Sequence, residues 1–372
     1  MTAGVYIHIP FCKSRCSYCD FATDVYKSSD AVERYVNALC AEITRTTGET
    51  FAADTIYFGG GTPSLLSSAQ VEKILETVYV CFDIATHAEI TMEMNPATVS
   101  ADTLSAYRSL GVNRASFGVQ TFNDRDLKLL ARGHNADDAR NTFKLLRECG
   151  FDNISFDLIA GLPGQTFDDW KRNLDEAVNM QPEHLSLYLL EIHEGTPMAE
   201  QLRSERRPMP DEDLAAEMYE LMIDRLAAAG YMQYEISNFS KPGFEARHNT
   251  KYWRLDPVYG FGVSAHSFDG YQRYSNERDT ARYVQRIEEF FGAEITRERI
   301  EAASEFIFLG LRLNEGISIN EYRVRFGNDI VEIYKVEIED LIDTGLIELS
   351  NDRLRLTRKG MLFSNTVFSI FV

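Results

Sequence analysis

The sequence lacks several features that would assign it to a special class of protein. Its 372 residues contain no uninterrupted apolar run of about 18 residues, the length that a membrane-spanning helix needs. The opening stretch MTAGVYIHIP has neither the basic segment nor the long apolar segment of a secretory signal. We therefore expect a cytoplasmic protein with no transmembrane segment. An apolar content of 44 % predicts an ordinary globular core.

Positive charge is also scarce. Lysine and arginine number 38 against 57 aspartate and glutamate residues, so the formal net charge is −19. An acidic chain does not attract a phosphate backbone, and we expect no nucleic-acid partner.

Cysteine is scarce as well, but half of it is concentrated in one place. Three of the six cysteines, Cys12, Cys16 and Cys19, lie within CKSRCSYC. The other three are scattered through apolar helical segments as Cys40, Cys81 and Cys149, and are expected to be small buried side chains. No disulfide framework is visible, which fits a reducing cytoplasm.

Three thiolates within eight residues can bind one metal centre. A structural zinc ion takes four ligands, usually from two separated pairs, and here His8 would have to be the fourth. A [4Fe–4S] cluster with three cysteine ligands leaves one iron open to an exogenous ligand. The loop therefore favours a cluster, with zinc as the alternative.

Strand-like and helix-like segments alternate through the first two-thirds of the chain. Six such βα units predict an α/β fold with a parallel sheet, most naturally an open, partial (β/α)6 TIM-like barrel. A doubly wound sheet is the alternative, although no GxGxxG fingerprint follows the first strand. The predicted strands are 5–9, 54–58, 89–94, 115–119, 153–159 and 184–190, and the predicted helices are 30–47, 68–80, 100–110, 135–149, 166–180 and 211–229.

The last part of the chain changes in character. Amphipathic helices at 300–313, 318–327 and 331–345 precede a hairpin in 346–360, which predicts a winged-helix-like α+β module. Residues 293–372 carry 10 Lys/Arg against 14 Asp/Glu, which favours a packing or lid role over DNA binding. We expect a barrel domain at 1–235, a connecting region at 236–292 and a C-terminal domain at 293–372.

Polar residues recur where the predicted strands end. In a parallel barrel, these carboxyl ends form the rim that carries function. Glycines in a strand-to-helix turn allow a ligand to approach the backbone, and acidic residues in apolar strands need a partner such as ribose hydroxyls or an ammonium group. The candidates are Gly60, Gly61 and Thr62 in GGGTP, Glu93 in MEMNP, Gln120 in FGVQTF, Arg132 in LLARGH and Asp157 in SFDLIAG.

Each candidate also has a structural interpretation. The glycines could form only a tight turn, and Glu93 and Asp157 could form salt bridges within the barrel. Gln120 could belong to a polar layer of the barrel, and Arg132 could be a solvated charge at a helix end.

Taken together, these motifs resemble the radical S-adenosylmethionine (SAM) superfamily, whose signature is CxxxCxxC. YIHIPFC, GGGTP, MEMNP, SFGVQTF and DLIAGLPGQT are similar to the oxygen-independent coproporphyrinogen dehydrogenases and their relatives. The resemblance implies a partial TIM barrel and one [4Fe–4S] cluster. It also implies that SAM is bound through the open iron and is cleaved on reduction to a 5′-deoxyadenosyl radical.

The resemblance also implies roles for individual residues. Cys12, Cys16 and Cys19 would hold the cluster, and Tyr6, Gly60 and Glu93 would contact the cluster-bound SAM. A second SAM site, known from the dehydrogenase, would be lined by Tyr18, Gly61, Thr62, Gln120, Arg132 and Asp157.

Two departures separate this chain from the dehydrogenase. Phe21 stands where the dehydrogenase has a further cysteine, and Tyr6 is close to the start, where the dehydrogenase has an extended segment. Both features resemble the heme-chaperone branch, as does RHNTKYW at 247–253, which is similar to that branch's HNxxYW motif. His248 could ligate heme iron while Tyr252 and Trp253 pack on the macrocycle, or it could anchor a loop by hydrogen bonds.

The sequence thus predicts a heme-binding chaperone on a radical SAM core, which delivers heme to an acceptor hemoprotein and takes electrons from a reductant protein. The alternative is a coproporphyrinogen III dehydrogenase of porphyrin biosynthesis, acting on a porphyrinogen. A zinc-stabilised barrel with unrelated chemistry is the third interpretation.

Overall fold

The computed structural model describes residues 2–46, 51–290 and 292–372. Within these ranges, no helix combines the length and the apolar character needed to cross a bilayer. The strands are β1 (Ala3–Ile9), β2 (Phe11–Cys12), β3 (Asp24–Val25), β4 (Phe51–Gly60), β5 (Phe82–Met94), β6 (Arg114–Gln120), β7 (Ile154–Ala160), β8 (His184–Leu189), β9 (Met232–Glu235), β10 (Asn238–Ser240), β11 (Val258–Phe261), β12 (His266–Phe268), β13 (Arg273–Asn276), β14 (Ile295–Glu298), β15 (Ile317–Ser318), β16 (Ile347–Ser350) and β17 (Arg353–Leu356).

Sixteen α-helices lie in the same ranges, beside a short 3-10 helix at Pro63–Leu65. They are α1 (Ser29–Arg45), α2 (Ser68–Cys81), α3 (Ala101–Ser109), α4 (Asp124–Leu129), α5 (Ala136–Glu148), α6 (Phe167–Met180), α7 (Pro197–Arg203), α8 (Glu212–Ala228), α9 (Arg247–Trp253), α10 (Thr280–Phe290), α11 (Ala302–Gly310), α12 (Ile319–Phe326), α13 (Ile330–Ile333), α14 (Lys335–Asp343), α15 (Arg358–Leu362) and α16 (Ser364–Phe368).

One twelve-stranded sheet organises the chain. Its order is β14-β13-β12-β11-β1-β4-β5-β6-β7-β8-β10-β9. The six strands predicted from sequence pair in parallel and follow one another in chain order, from β1 to β8. A doubly wound sheet would reverse direction at a switch point. The predicted open (β/α) barrel is therefore confirmed.

A seventh parallel strand was not predicted. β11 pairs with the free side of β1, with Val5 opposite Tyr259. The antiparallel strands β12, β13 and β14 extend the sheet beyond β11, and β10 and β9 extend it beyond β8. These strands have only three or four residues each, which is too short for a periodic pattern to stand out.

Side-chain caps begin the helices that cover the sheet. Ser67 and Gln70 form a capping box at α2, and Thr166 and Asp169 form another at α6. The helices bury their apolar faces against the outward-pointing strand residues, which include Val5, Ile7 and Ile56 in one continuous core. Since strand side chains alternate, the intervening residues point to the inner face of the barrel.

The C-terminal module has its own apolar cluster around Ile307, Ile338 and Leu354. The hairpin β16–β17 turns through Asn351, whose φ is 55°, and β15 adds a third strand. Helices followed by this small sheet confirm the predicted winged-helix-like arrangement. The helix predicted at 331–345 is instead two helices, because the backbone at Tyr334 leaves helical geometry (φ −108°, ψ 35°).

Several predicted boundaries also shift. α1 ends at Arg45, and Thr47, the predicted last residue of this helix, lies outside the described residues. β4 and β5 begin at residues 51 and 82, well before their predicted starts at 54 and 89.

Candidate cluster and cofactor site at the barrel rim

The cysteine loop is anchored to the rim by hydrogen bonds. The Tyr26 amide donates to the Cys12 carbonyl at 2.8 Å, next to the short β2–β3 pairing. Ser17 is buried, and its amide donates to the Leu130 carbonyl at 2.9 Å while its hydroxyl donates to the Leu129 carbonyl at 3.0 Å. The Met198 amide donates to the Ser17 carbonyl at 2.8 Å. A loop without long regular structure is therefore fixed in position.

The three thiols are free and partly buried. The Thr62 hydroxyl lies 3.6 Å from the Cys12 sulfur, and Nη1 of Arg132 lies 3.4 Å from the Cys16 sulfur. Burial raises the pKa of the Cys12 and Cys19 thiols. A hydroxyl and a guanidinium aimed at sulfur suit anionic thiolates and an iron–sulfur cluster, whose properties depend on such hydrogen bonds.

The geometry can be compared with the two metal centres considered from sequence. Among the residues that the structure describes, no three Cys, His, Asp or Glu side chains converge closely enough to share one metal ion. In a [4Fe–4S] cluster each cysteine binds a different iron, so such convergence is not required. His8 is also engaged elsewhere, because Nε2 lies 3.0 Å from the Ala22 carbonyl and Nδ1 lies 3.1 Å from the Tyr6 hydroxyl. The donor set therefore fits a cluster better than a zinc ion.

The glycine-rich turn after β4 packs tightly against the end of β1. Gly60 has a φ of 108°, and a Cβ there would lie 2.6 Å from the His8 ring. A Cβ on Gly61 would lie 2.8 Å from the Phe11 carbonyl oxygen. The Thr62 amide donates to that carbonyl at 2.8 Å. Glycine is thus required at 60 and 61 to bring the turn onto the cysteine loop.

Glu93 connects this turn to the inner face. Its carboxylate accepts hydrogen bonds from the Tyr57 hydroxyl at 2.6 Å and from the Gly60 amide at 3.1 Å. Burial, together with the nearby Asp157 carboxylate, raises the pKa of Glu93 to about 7. No lysine or arginine of the described ranges lies within 4.0 Å of Glu93, so the salt bridge considered from sequence is not formed.

Arg132 and Gln120 meet at Gly118. Nη2 of Arg132 donates to the Gly118 carbonyl at 2.6 Å and to Oδ1 of Asn95 at 3.2 Å. Gln120 has a φ of 69°, and a Cβ on Gly118 would collide with its Nε2. Arg132 is therefore fixed within the rim and is not a solvated helix-end charge.

Asp157 and Tyr18 complete the rim. Burial raises the pKa of Asp157 to about 6, although the neighbouring Ser186 hydroxyl and two arginines oppose the shift. Tyr18 packs against an apolar cluster that contains Leu129 and Leu130. The structure thus gathers at one end of the barrel the cysteine loop and most of the sequence-predicted SAM residues, namely Tyr18, Gly60, Gly61, Thr62, Glu93, Gln120, Arg132 and Asp157.

Tyr6 lies deeper on the inner face. Its ring stacks on Tyr57, with centroids 6.1 Å apart, and on His248, with centroids 6.3 Å apart. Its hydroxyl contact with His8 links it to the segment that carries the cysteines. Tyr6 therefore connects the rim with the lower part of the barrel.

His248 lies in that lower part and away from the rim. Its Nδ1 is 2.8 Å from the Thr55 hydroxyl, and its ring packs closely on Gly4, where a Cβ would lie 3.1 Å from it. Gly4 pairs with Thr55, five residues before Ile9 pairs with Gly60 at the rim, a separation of roughly 17 Å along the strands. Nε2 lies 3.3 Å from the Tyr252 hydroxyl, and only 1 % of His248 is exposed.

The helix α9 closes this lower end, which we call the floor. Glu89 accepts hydrogen bonds from the amides of Arg247 and His248, both at 3.1 Å, and so caps the helix N-terminus. Asp54 pairs with Arg247 at 2.9 Å and with Lys251 at 2.7 Å. Burial and Lys251 lower the pKa of His248 to about 3, which keeps the imidazole neutral.

Several residues of the site were not identified from sequence. Asn95 and Ser17 position Arg132 and the cysteine loop, while Glu89 and Asp54 hold the floor helix. Glu89 and Asp54 carried the same signal as Glu93, an acidic side chain in an apolar strand. Asn95 and Ser17 gave no such signal, because their roles depend on contacts distant in the chain.

The fold and the three-cysteine rim define a radical S-adenosylmethionine protein. The family model of the Radical SAM superfamily matches residues 6–177, and that of the HemN C-terminal domain matches residues 298–363. Within this class, the chain belongs to the HemW family. Membership of the superfamily implies a [4Fe–4S] cluster and SAM as cofactors.

Relatives of nearly the same length support the assignment to the HemW family. A Bacillus subtilis protein named heme chaperone HemW is 38 % identical, covering 99 % of both chains. A protein of the same name from Escherichia coli is 34 % identical, covering 99 % of this chain and 98 % of that one. A bovine protein named radical S-adenosyl methionine domain-containing protein 1, mitochondrial, is 33 % identical, covering 96 % and 85 %.

A solved structure has the same fold. Coproporphyrinogen III oxidase (HemN) from Escherichia coli, described as a radical SAM enzyme, superposes with a TM-score of 0.86 over 100 % of this chain and 90 % of that chain. At 24 % identity, this similarity shows only that the two proteins share a fold.

Proposed function

We propose that this protein is a heme chaperone, which binds heme and delivers it to an acceptor hemoprotein. The observation that carries the proposal is the similarity to proteins named heme chaperone HemW, at 34–38 % identity over nearly the full length of both partners. Phe21, which is 67 % exposed beside the cysteine loop, supports it, because the dehydrogenase pattern has a cysteine at this position.

The rim residues would hold the cofactors. Cys12, Cys16 and Cys19 would bind the cluster, and Tyr6, Gly60 and Glu93 would contact the SAM bound to it. Tyr18, Gly61, Thr62, Gln120, Arg132 and Asp157 would line a second SAM site. When bound, the cluster supplies an electron for chemistry at SAM. In this chain Arg132 donates a hydrogen bond to the Cys16 sulfur and Thr62 to the Cys12 sulfur, while the Gly60 amide and Tyr57 hold the Glu93 carboxylate in place.

That His248 ligates heme stays a prediction. In the observed conformation, the His248 ring is not accessible to heme iron. Both ring nitrogens contact hydroxyl groups, and the ring is enclosed between Tyr6, Tyr57 and Tyr252. Heme ligation would therefore require α9 to leave the floor. The contacts favour the other sequence interpretation, in which this histidine anchors its segment by hydrogen bonds.

We further propose a cytoplasmic location and domain limits at 235 and 292. All six cysteines are free, which fits a reducing compartment. Ile236, Leu255 and Phe268 of the connecting region pack into the C-terminal apolar cluster, so that region would be a structural link between the two domains.

The test is an anaerobic heme titration of the cluster-reconstituted protein, followed by absorbance and by transfer to an apo-hemoprotein. His248→Gln is compared with the matched control His184→Gln. His184 is a second buried histidine of the barrel, and its nitrogens contact Ser155 and Tyr234, both at 2.8 Å. Saturable binding followed by transfer would support the chaperone.

The variants then locate the ligand. Loss of the heme spectrum in His248→Gln alone would identify His248, whereas unchanged spectra in both variants would place the ligand elsewhere. An absence of specific heme binding in the parent protein would overturn the chaperone proposal. Formation of protoporphyrinogen from coproporphyrinogen III, with SAM and reductant, would establish the dehydrogenase instead.

A further inference from the structure

Arg114 is a fully buried cation on the inner face of the barrel. It begins β6, opposite Thr91 of β5, and two residues further on Ser116 lies opposite Glu93. Ser116 also lies opposite Ser155, and Gly118 opposite Asp157. Because side chains alternate along strands, Arg114, Glu93 and Asp157 all point to the inner face. Only 1 % of Arg114 is exposed.

The Arg114 side chain has no direct partner within the part of the chain that the structure describes. None of its nitrogens forms a hydrogen bond or an ion pair within 4.0 Å there, and its Nε is fully buried. An isolated charge in the protein interior costs several kcal/mol unless an opposite charge compensates it. Three carboxylates of β5 and β7 share this face: those of Glu93 and Asp157 on the rim side, and that of Glu89 on the floor side, where it already accepts hydrogen bonds from the Arg247 and His248 amides.

We propose that Arg114 is a positioning residue that favours the ionised forms of Glu93 and Asp157, the forms in which both can accept hydrogen bonds from SAM. The inference rests on the proposed roles of Glu93 and Asp157 as SAM contacts. Arg114 lies one inner-face layer below Glu93 and two layers below Asp157, and compensates their charge without occupying the hydrogen-bonding positions of their oxygens.

The surrounding groups make Arg114 the main candidate for this role. The other cation nearby, Arg132, is engaged with the Cys16 sulfur, Asn95 and the Gly118 carbonyl. Arg114 acts to lower the pKa of both Glu93 and Asp157, against their burial. Other titratable groups also face this space. They are Tyr6 of β1, Tyr57 of β4, Glu89 of β5, His184 and Tyr188 of β8, Tyr234 and Glu235 of β9, and His248 and Tyr252 of α9.

The first measurement needs no cofactor. Infrared titration of the carboxyl band of the apoprotein, assigned with Glu93→Gln, reports the ionisation of Glu93 directly. Arg114→Gln removes the cation, and we expect the Glu93 midpoint to rise by at least about one pH unit. Arg114→Lys keeps a positive charge, and its midpoint should stay close to that of the parent protein.

The second measurement is SAM affinity across pH, by equilibrium dialysis of reconstituted protein. Arg114→Gln should bind weakly at neutral pH and recover as pH rises, whereas a purely structural role would weaken binding equally at every pH. A Glu93 midpoint that is unchanged in Arg114→Gln, or that rises as much in Arg114→Lys, would overturn the inference. Failure of the parent protein to bind SAM would count against the proposed site, while the infrared titration would still decide the role of Arg114.

Discussion

Glu93 combines an uncommon set of contacts for a carboxylate in a strand. It accepts from Tyr57 and from the Gly60 amide, and it shares the inner face with Asp157 and the buried Arg114. The hydrogen bonds favour its charged form, whereas burial favours the neutral form, and burial prevails in raising its pKa to about 7. Its protonation therefore changes within the physiological pH range.

This balance predicts a pH-dependent effect on stability. Because the folded pKa of Glu93 lies above its unfolded value, the stability that it contributes is present at low pH and is lost as pH rises to about 7. Glu93→Gln never ionises, so its stability relative to the parent should increase over the same window, by at most about 3 kcal/mol. Urea unfolding of the apoprotein from about pH 4.5 to 8 would measure this difference. The exposed Glu148→Gln is the control, and a difference that does not vary with pH would contradict the prediction.

The cysteines allow a second test on single residues. Replacing Cys12, Cys16 or Cys19 by alanine should prevent stable cluster assembly, because each would bind its own iron. Iron and sulfide analysis after anaerobic reconstitution measures the outcome. Cys40→Ala, in the buried face of α1, should retain the cluster content of the parent. A rim variant that kept the parent's iron and sulfide would refute the ligand assignment.

At the scale of elements, the short helix α9 closes the floor of the barrel. Its seven residues close the floor through Glu89, Asp54 and Thr55, which lie on two different strands. His248 also stacks on Tyr57, with centroids 5.0 Å apart, and Tyr57 donates to Glu93. Floor and rim are thus joined by a chain of three side chains.

His248→Ala should therefore destabilise the apoprotein by about 2–4 kcal/mol, since it leaves a cavity and an unpaired Thr55 hydroxyl. Equilibrium urea unfolding would measure the loss. His193→Ala, at an exposed position of a loop, is the control and should stay within about 0.5 kcal/mol of the parent. A similar effect of both substitutions would show that His248 does not anchor the floor.

The elements that sequence predicted well are those with a strong local pattern. The parallel strands β1 and β4 to β8 follow from alternating βα periodicity, and the glycine turn follows from its three glycines. The function of α9 could not be predicted from its own sequence, because its partners Glu89 and Thr55 are more than a hundred residues away in the chain. β11 was not predicted for the same reason, because these four residues are recognisable as a strand only from their pairing with β1.

Arg114 is a single residue whose position could not be predicted from the sequence. In the sequence it is an arginine at the start of a strand, where a solvated charge is ordinary. Its position on the inner face depends on the register of β6 with both β5 and β7. Register between strands is fixed by tertiary packing, so the sequence could place Glu93 and Asp157 on one rim but could not place a cation beneath them.

At the scale of the whole molecule, the C-terminal module is packed onto the barrel side. Arg312 pairs with the buried Glu235 at 3.5 Å and lies over Trp253, 4.3 Å from the ring centroid. Nη2 of Arg325 donates to the Leu255 carbonyl at 3.1 Å. The module therefore holds the residues on both sides of the floor helix.

Truncation after Arg299 tests this packing. The shortened chain keeps all strands of the large sheet but uncovers Ile236, Leu255 and Phe268. We expect a lower melting temperature and increased binding of a hydrophobic dye, because an apolar patch becomes exposed. Arg312→Gln removes the polar contacts but keeps the apolar cover, so its dye binding should match the full-length protein. A truncated chain with unchanged dye binding would show that the two parts do not share a core.

The position of β1 between β4 and β11 also has a consequence for synthesis on the ribosome. β1 can pair with β4 early, but its other side has no partner until residue 261 has emerged. At about 5–20 residues per second, some two hundred residues separate these events by roughly 10–40 s. During this interval a nascent barrel presents an open edge of apolar strand, which is the kind of surface that pairs with other chains. The time between these two pairings is therefore the period in which the newborn protein most needs protection from aggregation.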